Sequence, residues 1–264
     1  MHNNADHNPK NRILRTLLCV SLLCLICCIV ILTTHNVSKE ISAEDALYIE
    51  RILNESGVQS NKLIRSSYTD FDQEIEAIRT VQNSAFETAP NVKLIPKSTP
   101  REPKNLYLSD AAYCSDRARY IDKALRYLGF NTRYASLYLN SEERSFFSTL
   151  LTKSAQDSAD SHALVEVETR RGWLIVDTRR HWISLTADGD VISLNALKDK
   201  PLSSYIWDKS NTEDAWPLLD KNFYIIYELY SRHGQFYPPY TKYIPDANWA
   251  LFIKHNSWPF VPKK

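Results

Sequence analysis

The sequence predicts an α+β domain, with a helix packed on an antiparallel sheet, behind one apolar N-terminal helix. Three observations carry this. No charged residue occurs from Thr16 to Thr34. A helix-period apolar stripe ending at Gly129 runs straight into a strand pattern. Two further strand patterns follow, joined by the short turn Arg170-Arg171. A helix and then consecutive strands point to segregated α and β segments.

Composition narrows the function classes. At 264 residues, 44% hydrophobic and 24% charged, the chain can bury one sizeable core or two small ones. A net charge of +1 argues for neither a nucleic-acid footprint nor a dedicated acidic partner. With 5 glycines and no GxGxxG or GxxxxGK[ST] pattern, no phosphate-cradling loop is available. Cys19, Cys24, Cys27 and Cys28 lie in the apolar run and Cys114 stands alone beyond it, so the rest of the chain has no disulfide framework of its own. No CxxC…CxxC or HExxH pattern marks a metal site, and neither metal nor cofactor is expected.

The elements follow in order. Thr16 to Thr34 gives about 28 Å of helix, close to the thickness of a bilayer core. Lys10, Arg12 and Arg15 precede it, which orients the N-terminus to the cytoplasm and the bulk of the chain outside, in the periplasm if the host is bacterial. A cleaved signal is the competing reading, but Leu32-Thr33-Thr34-His35 is a poor cleavage site. The expected organisation is a cytoplasmic tail (1–12), a transmembrane anchor (13–34), a helical juxtamembrane region with a Pro-containing linker (35–105), a catalytic core (106–205) and an aromatic-rich C-terminal part packed on that core (206–264). Within the juxtamembrane region, apolar spacing predicts helices over 41–55 and 71–86.

Ser109 or Asp110 can cap a helix over 111–128, with Cys114, Ala118, Ile121, Leu125 and Leu128 as its stripe. Strands are predicted over 133–139, 162–169 and 172–178. The polar stretch 140–161 between the first two is too long for a plain connection and reads equally as a lid or as a disordered loop. Beyond residue 206 aromatics are dense, among them Trp207, Trp216, Phe223, Tyr224, Tyr227 and Tyr230. They suit core packing or a glycan platform, and 222–232 reads as a buried helix.

The chemistry centres on the predicted hairpin. Pairing Val167 with Leu174 and Val165 with Val176 puts these four on one face. His162, Leu164, Trp173, Ile175 and Asp177 then share the other, and His162 and Asp177 become diagonal neighbours. Trp173 reads as packing beneath the site. An imidazole oriented by a carboxylate is what activation of a nucleophile requires. Cys114, in the first turn of its helix, would have its thiolate favoured by the helix dipole, and its backbone N–H is a candidate oxyanion donor. His181 is a rival base.

Tyr113-Cys114-Ser115-Asp116-Arg117-Ala118 with Ala124-Leu125-Arg126-Tyr127-Leu128-Gly129-Phe130-Asn131-Thr132-Arg133 resembles the nucleophile helix of the transglutaminase-like cysteine enzymes. Ser161-His162-Ala163-Leu164-Val165-Glu166-Val167 and Gly172-Trp173-Leu174-Ile175-Val176-Asp177-Thr178 are similar to that superfamily's "HAW-x-EV…GW-x-x-x-D-P-T" segment. The likeness is to the bacterial, membrane-anchored type. It departs at Tyr113, at Ser115, where Trp is usual, and at Asp177-Thr178-Arg179, which stands for "DPT". The resemblance implies a papain-like fold and acyl transfer through a thioester on Cys114, His162 and Asp177. The expected function is hydrolysis or transamidation of a peptide, protein or amide outside the cytoplasm. The alternative is an inactive module on the same scaffold, binding a glycan or envelope component.

Overall fold

The computed structural model describes residues 9–93, 99–139, 161–230 and 246–256. Its contacts divide the chain into two units, Met1–Asn36 and Val37–Lys264. The first holds α1 (Pro9–Thr34). Its segment Arg12–Thr34 has a mean hydropathy of 2.9, long and apolar enough to cross a membrane or to act as a signal sequence. The Thr33 hydroxyl donates back to the Ile29 carbonyl at 2.9 Å, so this polar group is satisfied within the helix.

In the second unit, α2 (Ala43–Glu55) starts on Ser42, which exchanges bonds with Asp45 as a capping box. Helix α3 (Phe71–Thr88) starts on Asp70, whose carboxylate accepts the Gln73 N–H at 3.0 Å. A short α4 (Pro103–Tyr107) precedes α5 (Cys114–Tyr127). Gly129, at φ 93°, ends α5 and lets the chain turn directly into β1 (Asn131–Leu139). Strands β2 (Ser161–Thr169), β3 (Gly172–Val176) and β4 (Phe223–Tyr227) complete an antiparallel sheet of order β3-β2-β1-β4. Helix α6 (Leu194–Asp199), the two-residue strands β5 (Leu229–Tyr230) and β6 (Asp246–Ala247), which pair with each other, and α7 (Trp249–His255) follow.

The sheet is covered on both faces. Val165, Val167, Leu174 and Val176 share a core with Ala118, Ile121 and Leu125 of α5, with Ile78 and Val81 of α3, and with Ile49 and Ile52 of α2. Leu164, Ile175, Ala135 and Leu137 face the other way, onto Trp182, Leu194, Leu197 and Leu219. Two apolar sheet faces are the physical reason the strands lack a clean polar alternation. Helices α2 and α3, from the stretch read as juxtamembrane, therefore belong to the same core as α5.

Three expectations need correction. The helix read over 222–232 is not formed in its described part, 222–230: Phe223–Tyr227 is the edge strand β4, pairing with β1 from Ala135↔Tyr227 to Leu139↔Phe223. A short apolar run reads equally well in either period, and its aromatic and β-branched residues favour the strand. Helix α5 begins at Cys114 rather than near residue 111. Trp173 pairs with Glu168, some six residues along the strand from His162 and so roughly 20 Å away, and stacks under Arg133 instead of beneath the site. The stretch 140–160, read as a lid or a disordered loop, lies outside the described residues.

Candidate active site

Helix α5 starts, β2 starts and β3 finishes at one end of the sheet. The hairpin register is Val165↔Val176 and Val167↔Leu174, which makes His162 and Asp177 diagonal neighbours. His162 Nε2 and Asp177 Oδ1 are 3.0 Å apart, and both residues are fully buried. The carboxylate has two further partners: Oδ1 accepts the Arg179 N–H at 2.8 Å, and Oδ2 accepts the Trp216 N–H at 3.0 Å. Burial alone would push this carboxyl up. The charge and hydrogen bond of His162, together with those two backbone donors, outweigh it and hold Asp177 below the usual carboxylate range.

Cys114 is the first helical residue of α5, with Tyr113 as its N-cap. Asp116 fixes that start: its Oδ2 accepts the Tyr113 N–H at 2.7 Å, while its Oδ1 lies 2.8 Å from Arg101 Nε. An acid at the third helical position, reaching back to the cap, is a start signal that points to Tyr113 rather than Ser109 or Asp110. Cys114 as a residue is 5% exposed. Its burial raises the pKa, but the hydrogen bond and charge of His162, the Ala163 N–H and the charge of Arg179 together bring it below the ordinary thiol value. Burial favours neutral His162; the Asp177 carboxylate and the Cys114 sulfur outweigh it and raise the imidazole to about 9. Both shifts favour a thiolate–imidazolium pair. With Nε2 committed to Asp177, Nδ1 is the nitrogen left for sulfur. Among the described residues it has no partner of ordinary hydrogen-bond geometry.

The loop after β3 is held by groups that carry no legible sequence signal. Gln82 of α3 donates its carboxamide to the carbonyls of Asp177 (2.7 Å), Trp182 (2.9 Å) and Arg180 (3.1 Å). Arg117 of α5 donates to Thr178 O at 3.3 Å and Ala89 O at 2.7 Å. The Thr178 hydroxyl bonds the Ala163 carbonyl. The Trp216 ring lies over His162, with centroids 5.8 Å apart at 33°. His181 is placed elsewhere: its Nδ1 is 3.0 Å from Asn83 Oδ1 and its ring rests on Phe86. It is His162, not His181, that the fold brings to Cys114. Of the C-terminal aromatics, Phe223, Tyr227 and Tyr230 are buried. Among the described residues no group of three or more His, Cys, Asp or Glu gathers as a metal site.

Against known families, residues 61–178 match the core model of the transglutaminase-like superfamily. The chain carries a transglutaminase-like domain. No curated protein and no solved structure was found to match it. The transglutaminase-like match begins at residue 61, so it takes in α3, the helix that supplies Gln82, and it ends one residue past Asp177.

Proposed function

We propose that this transglutaminase-like domain is a thiol-dependent acyl-transfer enzyme acting on a peptide, protein or amide. The observation that carries the reading is the division of labour on His162: one ring nitrogen is locked to Asp177, and the other is left for the thiol of Cys114, whose pKa His162 lowers. Cys114 Sγ attacks the carbonyl, and the electron pair moves to oxygen. The Cys114 N–H, at the first helical position and without an intrahelical acceptor, stabilises that oxyanion. His162 passes its proton to the leaving amine as the thioester forms. It then takes a proton from the incoming water or amine, while Asp177 holds the ring in orientation. Hydrolysis takes precedence over transamidation, because water is the default acceptor. The apolar N-terminal helix would hold the domain at a membrane on the extracytoplasmic side, in keeping with Arg12 and Arg15 before the span.

A specific observation favours a second reading. With Cys114 only 5% exposed, the scaffold could serve as a binding module whose thiol never meets a substrate. Iodoacetamide alkylation separates the two, followed at the Cys114 peptide by mass spectrometry across pH in the detergent-solubilised full chain. Fast alkylation persisting well below about pH 8.5, the pKa of a free thiol, and lost in His162→Ala, supports the enzyme. Slow, ordinary thiol behaviour in both proteins would overturn it and leave the binding module.

A further inference from the structure

The residue that stands at the end of the "DPT" position places a cation beside the thiol. Arg179 is half-buried, and its guanidinium carbon lies 4.7 Å from the ring centre of Trp216 and 5.4 Å from that of Tyr113. Trp216 is the ring over His162, and Tyr113 directly precedes Cys114. The guanidinium is thus bracketed by a neighbour of the base and a neighbour of the nucleophile. Its backbone is fixed as well, because the Arg179 N–H donates to Asp177 Oδ1.

The surrounding arginines have partners. Arg180 pairs with Glu213 at 3.2 Å, Arg101 with Asp116 at 2.8 Å, and Arg117 is used on two backbone carbonyls. Among the described residues, none offers the Arg179 side chain a carboxylate or another hydrogen-bond acceptor. The N–H donors of a guanidinium form a fork that matches a carboxylate. The two rings hold this group in place, and its N–H donors meet no acceptor among the described residues. A solvated arginine with no task would gain little from being held in one conformation.

We propose that Arg179 binds a carboxylate carried by the substrate close to the bond that Cys114 attacks, so that the domain selects acidic peptides or amides over neutral ones. The proposal rests on the thiol acyl-transfer reading above and adds the chemical class of its substrate. A charge-assisted fork at this place would orient the carbonyl as well as attract the ligand.

Iodoacetate and iodoacetamide test it, because both form the same carbon–sulfur bond as the thiolate displaces iodide and differ only in carrying a carboxylate or an amide. In the full chain, the ratio of iodoacetate to iodoacetamide rates at Cys114 should exceed that of a free thiol. It should fall about tenfold in Arg179→Gln and recover in part in Arg179→Lys, which keeps the charge but not the fork. In the unaltered protein, succinate should slow iodoacetamide alkylation and succinamide should not. A ratio unchanged by Arg179→Gln, or no protection by succinate, while Cys114 still reacts fast and His162-dependently, overturns the role of Arg179 and leaves the acyl-transfer reading standing. Slow reaction with both reagents and no dependence on His162 removes that reading, and this inference with it.

Discussion

Two clusters of buried charge sit along the same helix, α5, and are built on opposite principles. In the middle of the helix, Arg119, Asp122 and Lys123 enter a network in which opposite charges meet. Lys39 Nζ lies 2.8 Å from Glu228 and 3.5 Å from Asp122, Arg119 Nε is 3.1 Å from Glu102, and Lys123 is 2.6 Å from Asp45 and 2.7 Å from Glu102. The network even holds Glu228 at φ 60°, a conformation a glutamate adopts only when its surroundings dictate it. At the start of the helix, Asp177 is saturated with donors, but the Cys114–His162 contact is left short of a well-formed hydrogen bond. Saturation fixes a structure, whereas a buried nitrogen whose neighbour is a thiol can exchange a proton with it.

The comparison breaks at its most expensive point with Lys39→Met. That change leaves Glu228 buried without its cation and Asp122 with the longer contact to Arg119 at 3.8 Å, and should cost about 3–5 kcal/mol of stability in denaturant titrations while Cys114 alkylation stays as it was. The reverse separation is expected for His162→Ala: alkylation at pH 6.5 should fall about a hundredfold, the thiolate fraction of an ordinary thiol two pH units below its pKa. Loss of reactivity in the Lys39 variant, in protein that is still folded, would show that the two clusters are not independent.

The smallest effect is a pH slope, read in a Cys114→Ala background so that the sulfur does not titrate. His162 is raised in the folded state to about 9, from an unfolded value near 6.5. Its contribution to stability is then full below about pH 6.5 and lost as pH rises through the folded value. Without the sulfur, which helps raise it, that window closes somewhat below 9. Stability of Cys114→Ala should decline across the window, and Cys114→Ala/His162→Gln should stay flat there. Asp177 acts with the opposite sign, its contribution vanishing only as acid protonates it below the ordinary carboxylate range.

How much of this was legible in the sequence follows from which interactions leave a pattern. The β2–β3 register was readable because Val165, Val167, Leu174 and Val176 must share one core face, and a slip of one residue would turn them all out. That register carried His162 and Asp177 together. The start of α5 was misplaced because Ser109 and Asp110 look like caps, while the group that fixes it, Asp116, lies inside the helix. Strand β4 was mistaken because a five-residue apolar run has no decisive period. The Trp216 N–H on Asp177 and the Gln82 carboxamide on three carbonyls are contacts across long sequence separations, one of them made by a backbone N–H that every residue type except proline has.

That same Trp216 N–H sets a minimum size for anything that is to behave like this domain. The family match stops at residue 178, yet one oxygen of the Asp177 carboxylate is held from a residue 39 positions away. A fragment trimmed to 61–178 would also lose β4, leaving β1 as a bare edge, and would discard α2 from beneath α5. Whoever excises, fuses or transplants this domain should cut no closer than the unit that begins at Val37, and should carry the chain through at least β4.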